Sequence, residues 1–65
     1  MMLLVSYWRS DRDGNVAPAD AVVAAPRFPV DEADIEAVRE ALMRIVEPGM
    51  APAARVTLVN IVRLG

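Results

Sequence analysis

Arg55-Val56-Thr57-Leu58-Val59-Asn60-Ile61-Val62-Arg63-Leu64 is the stretch that decides how this chain folds. Val56, Thr57, Val59, Ile61 and Val62 are β-branched, and such residues favour a pleated, half-buried strand over a helix. Alternation places Val56, Leu58 and Val62 on one face and Val59 and Ile61 on the other. Both faces are therefore apolar, and a strand of that kind is normally covered on both sides. The rest of the chain supplies one helix. One face of the sheet is thus expected to find its cover in another copy of the chain or in another protein.

The helix precedes this strand. Asp31 has the side chain of a good N-cap, and Glu32 and Asp34 place negative charge at the positive helix end. Val30 and Ile35 have the spacing of a hydrophobic staple. Ile35, Val38, Leu42 and Ile45 recur at helical intervals and, widened by Ala41, predict one apolar stripe facing a core. Pro48 ends the helix near Val46, and Gly49 turns the chain. Residues 50–54 read as a loop.

Two strands are expected before the helix. From Met2 to Arg9, Leu3, Val5 and Tyr7 point one way and Leu4, Ser6 and Trp8 the other. Ser10-Asp11-Arg12-Asp13-Gly14-Asn15 is a polar reversal in which Gly14 supplies the positive-φ position. Val16 to Ala25 then returns antiparallel. Pro18 has no N–H for a ladder, so this strand is either an edge or bulged near its start. The rigid connection Pro26-Arg27-Phe28-Pro29 leads to the helix. The order is β-β-α-β in a single domain, 1–65. The fold class is α+β: a three-stranded sheet with one helix on one face, completed by homo-oligomerisation. The third strand either pairs with the first or follows the second by a crossover, and the pattern leaves both open.

Composition narrows the chemistry. Sixty-five residues support one core at most, and 55 % of them are apolar. There is no cysteine or histidine, and all seven cations are arginine. Disulfides, thiolate metal sites, a Cys/His nucleophile–base pair and a lysine Schiff base are excluded, and no glycine-rich phosphate loop is present. A net charge of −2 lacks the basic footprint of sequence-independent DNA or RNA binding. No run approaches the roughly 20 apolar residues of a membrane span. A cytoplasmic, non-enzymatic protein with no cofactor is the expectation. Asp11 and Asp13 resemble the start of a calcium loop, but the closing acid is missing, since the twelfth position is Val22. No metal is assigned.

The remaining candidates concern binding. Tyr7 and Trp8 are neighbours on a strand, so one fills the core while the other is left on the open face as a stacking platform or interface anchor. Asn60 interrupts an apolar strand, and a buried amide there needs a partner. Residues 31–47 hold six acids and two arginines, whereas the remainder holds three acids and five arginines. Arg9, Arg27, Arg55 and Arg63 lie in or beside strands, and guanidinium forks match carboxylate and phosphate. A ligand site built from Tyr7, Trp8, Arg9, Arg27, Asn60 and Arg63 would take a small anionic, nucleotide-like molecule between protomers. The other reading is a protein–protein inhibitor or adaptor that uses the acidic helix or a sheet edge.

Ser6-Tyr7 on the opening strand, Gly14-Asn15 in the turn, Pro26 at the exit, Asp34-Ile35 on the helix and Val59-Asn60-Ile61-Val62-Arg63-Leu64 at the end resemble small uncharacterised phage proteins. The resemblance implies a compact accessory protein of the counter-defence kind. Such a factor occludes a host protein or sequesters a signalling nucleotide. The resemblance transfers no ligand residue by position.

Overall fold

The structure, a computed structural model, describes residues 1–10, 13–46, 48 and 55–65. Strand β1 (Met2–Ser10) is followed by β2 (Val16–Ala24), helix α1 (Glu32–Val46) and β3 (Arg55–Arg63). The sheet order is β2-β1-β3, so the first strand is central and β3 pairs with it rather than with β2. Both pairings are antiparallel, which makes β2 and β3 parallel to one another across β1. Ala25 N–H donates to the Met1 carbonyl at 2.9 Å, and Leu64 N–H donates to the Met2 carbonyl at 2.9 Å. These two bonds tie both flanking strands to the start of β1. Gly14 has φ +83°, the left-handed conformation expected of it between β1 and β2. Asp11, Arg12, Gly49 and the loop 50–54 lie outside the described residues.

One layer of side chains holds the helix to the sheet. Leu3, Val5 and Tyr7 of β1, Val23 of β2, Val56 of β3, and Val38 and Leu42 of α1 are buried together. Full burial of such a side chain contributes about 1.5–3 kcal/mol, so this small cluster is the main source of stability. The alternation read along β1 is realised. Tyr7 is 5 % exposed beneath the helix, and Trp8 is 44 % exposed on the opposite face.

Strand β3 departs from simple alternation. Leu58 lies opposite Tyr7 but Asn60 lies opposite Ser6, so Val59 is an extra residue in a β-bulge. The phase shifts by one beyond it. Ile61 joins Val56 and Leu58 on the helix side, packed against the core, while Val62 lies opposite Leu4 on the outer side. Strict alternation had exchanged Ile61 and Val62.

The helix start follows its sequence signals. Asp34 N–H donates to Asp31 Oδ1 at 2.9 Å, and Ile35 N–H donates to the Asp31 carbonyl at 3.1 Å, which confirms the N-cap. The staple does not close. Val30 is 75 % exposed, and its N–H donates to Asp34 Oδ2 at 3.1 Å, so a carboxylate fixes the entry of the chain. The stripe is also narrower than its periodicity suggests. Val38 and Leu42 are buried, whereas Ile35 and Ile45 are 44 % and 55 % exposed. Helix α1 lies closest to β2, so its apolar flank overhangs β3 instead of sealing it.

Candidate functional site

The side of the sheet turned away from α1 has no cover among the described residues. Cross-strand register assigns its rows. Val22, Leu4 and Val62 form one, Asp20, Ser6 and Asn60 the next, and Pro18, Trp8 and Thr57 the next, followed by Val16, Ser10 and Arg55. Trp8 sits near the centre of this surface. Ser6, Trp8, Pro18, Asp20 and Val59 line a shallow depression of about 270 Å³. Val16, Val22, Val59 and Val62 are exposed around it, and Met2 extends the apolar area toward the chain start. The bulge adds to this surface by turning Val59 outward beside Asn60. The strand residues of the face carry one acid, Asp20, and one base, Arg55.

The residues singled out from the sequence do not converge. Trp8 and Asn60 share the outer face, whereas Tyr7 belongs to the core and presents no ring there. Arg9 lies opposite Val56, and Arg63 lies opposite Leu3, both in helix-side register. Six residues of β1 separate their positions, about 20 Å along the strand. Arg27 stands in the connection after β2 and is engaged. Its Nε donates to Asp34 Oδ2 at 3.1 Å and its Nη2 to Asp34 Oδ1 at 3.0 Å. That two-pronged pair, together with the Val30 N–H, holds the Asp34 carboxyl below its ordinary range and raises the Arg27 guanidinium. Among the described residues the cation on the Trp8 face is Arg55, which the expected site omitted. Alternation beside Val56 marks the face of Arg55, but only the pairing of β3 with β1 puts that face on the same side as Trp8.

No family model matches this chain, and no characterised protein or solved structure is detectably similar to it. The case for function therefore rests on its own surfaces.

A second surface lies on the helix side. Phe28, Pro29, Ile35, Leu58, Val59, Asn60 and Ile61 line a groove of about 390 Å³ where α1 fails to cover β3, so Val59 and Asn60 border both surfaces. Arg39 reaches down from the helix at one end of this flank and donates from Nη2 to the Val56 carbonyl at 2.9 Å. Among the described residues no cluster of three or more carboxylates is placed to hold a metal ion. Among the described residues no helix is long and apolar enough to cross a membrane.

Proposed function

We propose that this chain is a non-enzymatic binding protein that works as a homodimer, packed through the outer sheet face, and acts on another protein. The observation that carries the reading is the uncovered apolar face centred on Trp8. A half-exposed tryptophan beside Pro18 and Val59, with Leu4, Val22 and Val62 as a second apolar patch beyond the Asp20-Ser6-Asn60 row, has the mixed composition of an interface centre. Its charges favour a second copy as the cover. One acid and one base balance on the face, so it offers no field to attract a strongly charged partner and nothing to repel its own twin. The area is also adequate. A standard interface takes about 800 Å² from each partner, less than a fifth of the 4488 Å² this chain exposes. One broad face of a two-layer molecule supplies that.

A protein target is favoured over a small anion because Arg9, Arg27 and Arg63 stand apart from Trp8 and from one another. Sedimentation equilibrium at micromolar concentration tests the assembly. The expected mass is twice 7.1 kDa. Trp8→Asp and Val62→Asp should each give a folded monomer by circular dichroism. A parent chain that sediments only as a monomer refutes the dimer. Calorimetric titration with mono-, di- and cyclic nucleotides tests the class of target, and saturable heat would restore the anion reading.

A further inference from the structure

The structure points to a second binding surface, along the exposed edge of β3, and we propose that it takes an extended segment of another protein in which apolar and basic residues alternate. The inference rests on the reading of this chain as a protein binder and says where the target is held. Among the described residues β3 has β1 as its one neighbouring strand, and apart from the Val56 carbonyl, which accepts from Arg39, its other edge offers backbone N–H and C=O groups for an added strand. Pro18 blunts the opposite edge, on β2, by removing a donor. The bulge at Val59 divides the β3 edge, and regular pairing geometry resumes over residues 60–63. An added strand would pair there and continue past Leu58. Its alternate side chains would fall into the groove of about 390 Å³ between Phe28, Ile35, Leu58 and Ile61.

The charge of the segment follows from the helix flank above the groove. Glu32, Ile35, Glu36 and Arg39 fall on one side of α1, because positions three and four apart share a face. The bond from Arg39 to Val56 shows that this side overlooks β3. Glu32 and Glu36 are therefore placed above the apolar floor to which Ile35 contributes, and both are exposed. Arg39 keeps its positive charge but is tethered at the Val56 carbonyl, and Arg63 stands at the far end of the strand, so the flank beside Ile35 keeps an acidic excess from Glu32 and Glu36. Basic residues of an incoming segment would meet Glu32 and Glu36, while its apolar residues would meet Ile35, Leu58 and Ile61.

The experiment is selection of a phage-displayed library of random short peptides on the immobilised full chain, followed by fluorescence anisotropy with the enriched peptides. Enriched sequences should alternate apolar with basic residues and lack acids. Their amide shift changes should centre on residues 60–63. Ile35→Ser, at a half-exposed position outside the buried cluster, should weaken binding about tenfold or more in a chain shown to be folded by circular dichroism, and Glu32→Ala with Glu36→Ala should do likewise. Trp8→Asp should leave the affinity per chain unchanged even where it abolishes the dimer, which separates this surface from the sheet face. Failure of any peptide to enrich, enrichment of acidic sequences, or binding indifferent to Ile35→Ser would each overturn the proposal. So would peptide binding lost in a folded Trp8→Asp monomer.

Discussion

Leu42 and Ile45 are equivalent in the helical periodicity of this chain and opposite in its structure, so truncating each to alanine tests how α1 sits. Leu42 is 0 % exposed and packs with Leu3, Val5, Tyr7, Val38 and Val56. Removing its branched end takes away the transfer free energy of the lost atoms and leaves a cavity, together about 2–5 kcal/mol. Ile45 is 55 % exposed. Burial in full would be worth about 1.5–3 kcal/mol, so roughly half of that is in play, and water fills the gap without a cavity cost. Ile45→Ala should cost about 1 kcal/mol or less. A domain of this length has a total stability of roughly 3–10 kcal/mol. Urea titration followed by far-UV circular dichroism resolves the two. With a slope of about 1 kcal/mol per molar, Leu42→Ala should lower the midpoint by about 2 M or more and Ile45→Ala by about 1 M or less. All samples are compared at one protein concentration, since the proposed dimer would make stability concentration-dependent. Equal losses for the two variants would mean that Ile45 is packed as fully as Leu42, and a harmless Leu42→Ala would remove the helix from the core altogether.

Asp31→Ala deletes the acceptor of the Asp34 N–H and should cost about 1 kcal/mol in the same titration, whereas Asp31→Asn should retain most of the cap. The depressed Asp34 pKa has a definite sign: its contribution is complete above the ordinary carboxylate range near pH 4 and is lost as pH falls through the lower folded value. Asp34→Asn should therefore flatten the acid limb of the urea midpoint against pH, and an unchanged limb would show that Arg27 does not hold that carboxylate in solution. Deleting Val59 removes the extra residue of the bulge without moving any residue beyond it to the other face. The shortened chain should fold and melt within about 8 °C of its parent, and loss of folding would argue that the bulge is required. Ile61→Glu places a charge against the core and should unfold the chain, unlike Val62→Asp on the outer face.

The features read correctly from the chain are those whose causes lie within a few residues. Asp31, Glu32 and Asp34 announce the helix start because capping and dipole effects act within one turn. Alternation along β1 separates Tyr7 from Trp8 because adjacent side chains on a strand must oppose. The β-β-α-β order, the edge or bulged character of β2 and the prospect of a bare sheet face follow from the same local chemistry and from a count of one helix. What tertiary structure alone decides depends on partners distant in sequence. Which of Tyr7 and Trp8 is buried depends on the side from which α1 approaches. Strand order depends on β3 finding β1, more than forty residues away, rather than β2. The bulge at Val59 arises from that pairing and carries no local mark, so alternation exchanged Ile61 with Val62. The helix settles closest to β2, which leaves Ile35 half-exposed and opens the groove over β3, while strand register sets Arg9 and Arg63 at opposite ends of the sheet. Periodicity records which residues can share a face of an element, whereas only packing determines how much of that face is covered.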